Sequence, residues 1–461
     1  MWVSLTILAL FVQVIFAGSS VVVQLNTGNT IQDFLNQALV TTLKLQATTD
    51  NTVEIGGFKA FIGEFEESVI DQLKDDPIIQ AIFPNVKINL GNDEDQGSTP
   101  DGTTVLSPQS STSVGVPGPS IAAQGSSGND SVSSQGSNEA TTSAGKYTQN
   151  NAPRHLARLS SRHGIYNTSG SLKYNYDSLG KGVTAYVLDT GIAIKHPDFE
   201  NRAKLGKTFV NESDGDNAGH GTNVAGIIGS KTYGVAKGIS LVDVKVLGTN
   251  GGSVESILKG IEWATNDFKN STSGAKAVIN FSIQADINQA VNNALNAAYD
   301  EGIPVIAAAG NKNKDASGYT PGSAKEPIIV GALDDRSDTI ALFSNWGSRV
   351  DIFASGVGVE STNYKDFNNP IAYYGTSQAT PIITGLSALL LEQGTSAGDI
   401  KQKIIDLSTK NAISQETYDD NSNYDNTVNR VAYNGVNSDS SDKISNPSTA
   451  TQDSTLKDYI E

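Results

Sequence analysis

The stretch Val-Leu-Asp-Thr-Gly at residues 187–191 decides the fold class, because an aspartate and a glycine end the apolar run Val183–Leu188. Runs of this kind are typical of parallel strands that are buried on both faces. Four more follow, at Leu241–Leu247, Ala277–Ile283, Ile303–Ala308 and Ile328–Leu333. Two segments with apolar residues at helical spacing, Val254–Phe268 and Ile287–Tyr299, lie between these runs. The pattern predicts an α/β domain over residues 148–435, built on a doubly wound, mostly parallel sheet.

Four polar residues stand at the ends of predicted elements, in the order Asp189, His220, Asn311 and Ser377. In a doubly wound sheet, sites lie beyond the carboxyl ends of the strands, where Asp189 and Asn311 fall. A serine hydroxyl needs a base to take its proton, and a histidine held by a carboxylate supplies that base. The chain order aspartate, histidine, serine therefore predicts an acyl-transfer triad of Asp189, His220 and Ser377.

An acyl-transfer site also needs donors for the oxyanion that forms on the attacked carbonyl. Ser377 precedes the apolar segment Ile382–Leu391, which we expect to be a buried helix with unpaired N–H groups at its N-terminus. Asn311 follows a strand and a glycine, where its amide is suited to be the second donor. Taken alone, Ser377 is equally typical of a helix cap and Asn311 of a turn.

The composition excludes several function classes. The 461 residues carry a net charge of −17, which argues against nucleic acids and anionic membranes as partners. The chain has no cysteine, so disulfides and thiolate metal sites are excluded.

Residues 1–17 predict a signal peptide, because small residues follow the apolar run Leu5–Phe16. A membrane anchor would need about 20 apolar residues, so no membrane span is expected. Glycosylation sequons fit export through the secretory pathway. They are at Asn129, Asn167, Asn211 and Asn270. A fifth, at Asn280, falls in a predicted core strand and is expected to stay unmodified.

Three regions flank the predicted α/β domain. Residues 20–91 read as two strand–helix–strand halves, which predicts a small ferredoxin-like α/β domain. Its expected elements are strands Val21–Leu25, Phe58–Phe65 and Ile82–Leu90 and helices Ile31–Thr42 and Glu67–Lys74. Residues 92–147 form an acidic, Ser/Gly-rich tract that cannot bury a core, so we predict a disordered linker. The acidic tail at 436–461 is likewise predicted to be disordered.

Six motifs of the chain match one known family. They are Asp189–Ile192, Gly219–Gly226, Thr232–Lys237, Val244–Leu247, Phe343–Gly347 and Gly375–Ser377. On these motifs the chain resembles the subtilisin family of serine proteases, in its fungal proteinase K branch. Within that branch the likeness is greatest to a budding-yeast subtilase associated with spore-wall formation.

The resemblance implies a subtilisin-like serine endopeptidase whose catalytic domain spans residues 148–435. Asp189, His220 and Ser377 would be its triad, and Asn311 would supply the oxyanion side chain. Polypeptides are the implied substrates.

The resemblance also implies how the enzyme is made and where it works. Residues 20–91 resemble the family's inhibitory propeptide, so the chain would be a zymogen that its own propeptide inhibits. No cofactor is required, although family members bind structural calcium, and Asp351 lies where relatives supply a carboxylate. The implied location is outside the cell or in the spore wall, with the vacuole as an alternative.

The chain departs from the family pattern near the implied cleft. The family's Ser-Leu-Gly-Gly segment is replaced here by Ser-Ile-Gln-Ala at residues 282–285. Ser282, Ile283 and Gln284 are the expected substrate-binding residues. Gln284 and the alanine after it place side chains where glycines would let a substrate backbone approach. Gln378 stands in place of the methionine that usually follows the nucleophile, and Asn223 in place of a second histidine.

Two rival functions stay open at this point. The departures favour a catalytically weak or inactive subtilase fold with a structural or binding role in the cell or spore wall. A different acyl hydrolase, such as an esterase, would use the same triad. A dedicated inhibitory prodomain suits a protease better than an esterase.

Overall fold

The computed structural model describes residues 18–43, 45–48, 50–89, 139–142, 145–166, 171–419 and 422–436. The predicted signal peptide, most of the predicted linker and all but the first residue of the predicted tail lie outside these residues. Asn129 and Asn167 lie outside them as well. Within the described ranges, no helix is both long and apolar enough to cross a membrane.

The N-terminal unit is an antiparallel sheet with helices between its strands. Its elements in chain order are β1 (Ser19–Leu25), α1 (Ile31–Leu35), α2 (Ala38–Thr42), β2 (Thr52–Ile55), β3 (Phe58–Phe65), α3 (Glu67–Lys74), β4 (Ile79–Pro84) and β5 (Lys87–Ile88). Four of the strands pair in the order β2-β3-β1-β4. This βαββαβ succession confirms the predicted ferredoxin-like unit.

Two predicted elements of this unit differ from the structure. The helix expected over Ile31–Thr42 is divided, because Gln37 adopts an extended backbone with ψ of 138° between α1 and α2. The strand expected over Ile82–Leu90 is divided at Pro84, which has no N–H group to continue a ladder.

A three-stranded antiparallel sheet joins the linker to the C-terminal unit. It consists of β6 (Glu139–Thr142), β7 (Lys146–Asn150) and β8 (Lys173–Tyr176), with α4 (Arg154–Leu159) between the last two strands. Strands β6 and β7 begin within the predicted linker at 92–147. Tyr147 helps to hold β7 against β8, because its ring stacks on that of Tyr176 with 5.2 Å between centroids.

The C-terminal unit alternates strands and helices. Its strands are β9 (Val183–Asp189), β10 (Ala203–Thr208), β11 (Ser240–Lys245), β12 (Leu247–Gly248), β13 (Gly251–Ser253), β14 (Lys276–Phe281), β15 (Ala285–Asp286), β16 (Val305–Ala308), β17 (Tyr319–Thr320), β18 (Ile328–Asp334), β19 (Thr339–Ile340), β20 (Ile352–Ser355), β21 (Val359–Ser361), β22 (Ile371–Tyr373), β23 (Thr409–Lys410) and β24 (Arg430–Val431). Its helices are α5 (His220–Gly229), α6 (Val254–Lys269), α7 (Gln289–Asp300), α8 (Thr376–Glu392), α9 (Ile400–Leu407) and α10 (Gln415–Asp419).

The central sheet confirms the predicted doubly wound architecture. Its strands pair in the order β10-β11-β9-β14-β16-β18-β20-β24-β23, and every pair except the last is parallel. Successive residues of β9 face opposite sides of the sheet: Tyr186 packs in one buried core with α6 and α7, and Val187 in the other with α5 and α8. Because β9, β14 and β16 are neighbours, the residues that follow them leave the sheet at one edge.

Candidate active site

Asp189 is the last residue of β9, and its side chain is fully buried. Its Oδ1 accepts a hydrogen bond from the backbone N–H of Thr190 at 2.7 Å. The same oxygen lies 2.7 Å from Nδ1 of His220. The carboxylate therefore fixes both the turn after the strand and the orientation of the imidazole.

His220 begins α5, and the glycines on either side permit its approach to Asp189. Gly219 has a φ of 103°, a conformation that L side chains rarely adopt. A Cβ at Gly221 would collide with the carbonyl oxygen of Gly191. The His220 side chain is 18% exposed, so the imidazole reaches the surface of the cleft while its partner stays buried.

Asp216 holds the start of α5 in place, and it was not among the site residues predicted from the sequence. Its carboxylate accepts hydrogen bonds from the N–H groups of Ala218, Gly219 and Thr222 at 3.0, 2.7 and 2.9 Å. It also accepts one from the hydroxyl of Thr190 at 2.9 Å. One carboxylate thus ties the turn after β9 to the helix that carries the histidine. The available signal was an acidic residue just before a helix start, which is a capping pattern.

Ser377 is the second residue of α8, close to the helix N-terminus, where negative charge is favoured. Its Oγ donates to the carbonyl oxygen of Ser282 at 3.2 Å, and the Ser282 hydroxyl donates to the carbonyl oxygen of Ser377 at 3.0 Å. This reciprocal pair joins the start of α8 to the segment that follows β14.

Thr376, which directly precedes Ser377, holds the side chain of Asn311 beside the start of α8. The backbone N–H and the hydroxyl of Thr376 both donate to Oδ1 of Asn311, at 2.9 and 2.8 Å. Because Oδ1 of Asn311 accepts these two hydrogen bonds, the amide nitrogen Nδ2 is the atom that faces Gly375. A Cβ added to Gly375 would lie 3.1 Å from this nitrogen. The amide is therefore fixed as a donor at the start of α8.

The two departures at Asn223 and Gln378 contact each other. Both side chains are buried, and Nε2 of Gln378 donates to Oδ1 of Asn223 at 3.4 Å. Asn223 lies in the first turn of α5 and Gln378 follows Ser377, so the contact joins the N-termini of the two helices. The structure thus brings Asp189, His220, Asn311 and Ser377 to one edge of the sheet.

In the expected substrate-binding segment, the side chains of Ile283 and Gln284 point to different parts of the molecule. Ile283 is buried in the core, so only its backbone can face a substrate. Gln284 turns its side chain toward Asn311, and its Oε1 accepts from the Asn311 backbone N–H at 2.9 Å.

A second buried carboxyl group lies behind the site. Asp243 in β11 accepts a hydrogen bond from the backbone N–H of Ile192 at 3.0 Å, and burial raises the pKa of its carboxyl to about 7. The buried Nζ of Lys245 donates to the carbonyl oxygens of Thr190 and Gly215 at 2.6 and 3.0 Å. These two residues brace the turn that follows Asp189.

The surroundings of Asp351 do not fit a calcium ion. Its Oδ2 forms a 2.9 Å salt bridge with Nζ of Lys401 and accepts from the backbone N–H of Ile329 at 2.9 Å. Calcium needs six to eight oxygen ligands, and a neighbouring ammonium group opposes a cation. Among the residues that the structure describes, no group of three or more His, Cys, Asp or Glu could hold a metal.

The N-terminal unit docks on β13 and α6 of the C-terminal unit. Strand β5 pairs antiparallel with β13, which itself pairs with β12. The side chain of Asn85 exchanges two hydrogen bonds with Glu255 in the first turn of α6, at 3.0 and 3.1 Å. The backbone N–H of Glu54 donates to Oε1 of Glu262 at 2.7 Å further along the same helix.

Comparisons with known proteins agree with this fold. The sequence profile of the Subtilase family, peptidase S8, matches residues 180–450. The chain is 36% identical over 415 residues to subtilase-type proteinase RRT12 of Saccharomyces cerevisiae (strain ATCC 204508 / S288c), covering 86% of this chain and 78% of that protein. It is 40% identical over 314 residues to cerevisin of the same yeast, covering 63% of this chain and 48% of cerevisin.

A solved structure is similar as well. The crystal structure of a cold-adapted subtilisin-like serine proteinase matches with a TM-score of 0.55 and 33% identity, covering 62% of this chain and 98% of that one. The chain belongs to the subtilase family. It is a serine endopeptidase, and its substrates are polypeptides.

Proposed function

We propose that the chain hydrolyses peptide bonds through Asp189, His220 and Ser377, with Asn311 as an oxyanion donor. The observation that carries the proposal is the 2.7 Å contact between Nδ1 of His220 and Oδ1 of Asp189. With Nδ1 engaged by the carboxylate, Nε2 is the ring nitrogen that takes the serine proton.

The reaction follows from this arrangement. Oγ of Ser377 attacks the scissile carbonyl carbon as Nε2 of His220 takes its proton, and Asp189 stabilises the imidazolium. The carbonyl oxygen becomes an oxyanion that accepts hydrogen bonds from Nδ2 of Asn311 and from the N-terminus of α8. The C–N bond breaks as the imidazolium protonates the leaving amine, and water then releases the acyl group by the same steps.

The test compares hydrolysis of matched peptide and ester substrates by the wild type and by Ser377→Ala. We expect the wild type to cleave the peptide and the variant to lose that activity. Cleavage of the ester alone would support the esterase alternative. Absence of turnover on both substrates would support a structural or binding role.

We also propose that residues 20–91 act as an intramolecular inhibitor and that the chain is a zymogen. The antiparallel pairing of β5 with β13 supports this, because a substrate held in extended form would pair with the same kind of strand edge. If the propeptide is removed in cis, Ser377→Ala accumulates as unprocessed precursor. Normal processing of the variant in a host without related proteases would contradict self-maturation.

We propose export through the secretory pathway, followed by action outside the cell or in the spore wall. The sequons support the proposal, since Asn211 and Asn270 are exposed, whereas Asn280 is buried in β14. N-terminal sequencing and glycosidase treatment of the secreted protein test both points. A structural calcium ion stays a prediction, and we propose no role for Asp351 in binding it.

A further inference from the structure

The side chain of Gln284 crosses from its own segment to the segment that carries Asn311. Its Oε1 accepts from the Asn311 backbone N–H at 2.9 Å. Its amide also lies directly against Gly310, where an added Cβ would collide with it and would lie 2.6 Å from Nδ2 of Asn345. Gly310 has a φ of 103°, so both its backbone conformation and its contact with Gln284 depend on the missing side chain.

The reaction geometry places part of the substrate in the same space. The attacked carbonyl carbon has to lie within reach of Oγ of Ser377, and its oxygen has to point toward Nδ2 of Asn311. The Cα of that substrate residue is about 1.5 Å from the carbonyl carbon. The segment after Ser282 and the backbone at Gly310 are next to these atoms, because the carbonyl oxygen of Ser282 lies 3.2 Å from Oγ of Ser377 and Gly310 directly precedes Asn311.

We infer that Gln284 determines which substrate residue can precede the scissile bond, admitting glycine, alanine and serine and excluding aromatic and long aliphatic side chains. This inference rests on the proposed function, because it takes Ser377 as the nucleophile and Asn311 as the oxyanion donor. A large substrate side chain would have to displace the Gln284 amide. That displacement would take away the acceptor of the Asn311 N–H beside the oxyanion site, which disfavours the complex further.

Two effects of Gln284 are separable by substitution. Gln284→Gly removes both the volume and the hydrogen bond to Asn311. Gln284→Leu keeps a similar volume but removes the hydrogen bond. If the side-chain volume at position 284 determines which substrate residue is accepted, the leucine variant keeps the substrate preference of the wild type. Only the glycine variant then loses that preference.

The experiment measures kcat/KM for peptide anilides that differ only in the residue before the scissile bond, alanine in one and phenylalanine in the other. We expect the wild type and Gln284→Leu to prefer alanine by at least about tenfold, the lower end of the discrimination that a pocket achieves for a single methylene. We expect Gln284→Gly to reduce that preference at least about tenfold, chiefly by a gain on phenylalanine.

Labelling by a fluorophosphonate counts the competent sites in each variant, so a loss of folded enzyme is not mistaken for a change in selection. Labelled wild type that cleaves both substrates equally, or a glycine variant that keeps the full preference, would overturn this inference alone. Absence of labelling and turnover in the wild type would overturn the proposed function and the inference together.

Discussion

Asn311 shows how neighbouring groups fix the chemistry of one side chain. An asparagine amide can present either its oxygen or its nitrogen to a substrate, and here Thr376 occupies the oxygen with two hydrogen bonds. The hydroxyl of Thr376 also accepts from the backbone N–H of Gly310 at 3.0 Å, so the residue before Asn311 is held by the same group. Preorganisation of this kind is what makes a donor effective in the transition state.

Asn311→Ala should lower kcat by about 10²–10³-fold with little change in KM, the loss found when such a donor is removed from a subtilisin. The oxyanion exists only in the transition state, so substrate binding should be nearly unaffected. Steady-state kinetics on one peptide substrate measure both constants, and Thr376→Val serves as a control that keeps the Asn311 amide but removes one of the two bonds to its Oδ1 and the acceptor of the Gly310 N–H. A change confined to KM would contradict the assignment.

The site residues differ in how much of their environment the sequence reveals. The motifs around Asp189, His220 and Ser377 predict an orienting acid, a base and a nucleophile, because few residue types can serve in these roles at the ends of elements, and these roles stay predictions. The contact of Gln284 with Asn311 was not predictable, because it joins two loops that only the folded sheet brings together. The same holds for the pairing of Asn223 with Gln378.

Helix α4 anchors the N-terminal arm of the C-terminal unit. Arg158 forms a buried pair with Asp338, with 2.8 Å between Nε and Oδ1 and 3.2 Å between Nη2 and Oδ2. The Tyr166 hydroxyl donates to the same carboxylate at 2.9 Å. Arg154 pairs with Asp335 at 2.6 Å. These contacts hold α4 to the rest of the C-terminal unit. If the proposed propeptide is removed, we therefore expect the cut to fall before α4.

Arg158→Ala should lower the free energy of unfolding by about 3–5 kcal/mol, because it leaves the buried carboxylate of Asp338 without its cation. Both side chains of this pair are only 2% exposed. Arg154→Ala is the matched control and should cost less, because Arg154 is 36% exposed, so that water can replace it beside Asp335, whose buried carboxylate also accepts a hydrogen bond from the Ser355 hydroxyl. Urea unfolding in a Ser377→Ala background avoids self-digestion. Equal losses in the two variants would contradict the role of burial.

His155 in the same helix is expected to make the stability of the fold depend on pH. It is buried, its Nε2 lies 2.8 Å from the carbonyl oxygen of Tyr233, and burial lowers its pKa to about 4. Below its unfolded pKa of about 6.5, the unfolded chain binds a proton that the folded chain does not, so stability falls as the pH drops. His155→Gln keeps a donor without titrating.

The expected result is a loss of about 2–3 kcal/mol from His155 between about pH 7 and pH 4.5, which the glutamine variant should not show. Unfolding in urea at the two pH values, again in a Ser377→Ala background, measures it. Parallel losses in both proteins would mean that His155 does not contribute.

The helices and strands whose apolar residues are regularly spaced in the sequence are the ones whose predicted bounds match the structure. Helix α3 has the predicted bounds Glu67–Lys74, because its apolar residues are regularly spaced and face the core. Strand β2 (Thr52–Ile55) was not predicted, since four residues carry little periodicity and only pairing with β3 defines them. Strand β10 (Ala203–Thr208) was missed because its exposed Lys204 and Leu205 break the alternation expected of an edge strand.

At the scale of the whole molecule, the chain is nearly free of sulfur. It has no cysteine, and Met1 is the one methionine among its 461 residues. The position after Ser377, where the family has methionine, is the buried Gln378. Oxidation of a buried methionine to a sulfoxide introduces a polar group that disrupts packing, and here that reaction has no target beside the nucleophile.

Peptide hydrolysis should therefore be unaffected by a peroxide treatment that inactivates Gln378→Met. The variant supplies the control, because it places the oxidisable side chain next to the nucleophile and leaves the rest of the chain unchanged. Activity assays before and after treatment, with mass spectrometry of the oxidised peptide, make the comparison. Equal inactivation of the two proteins would show that oxidants act elsewhere.

The fold as a whole places Asp189, His220 and Ser377 at one edge of the sheet, where we propose that they act as one catalytic unit. Mass spectrometry of the protein after reaction with a fluorophosphonate tests whether the three residues act together. One adduct on Ser377 is expected, absent in Ser377→Ala and formed far more slowly in His220→Ala, because the imidazole activates the hydroxyl. An adduct on another residue, or an unchanged rate in His220→Ala, would contradict it.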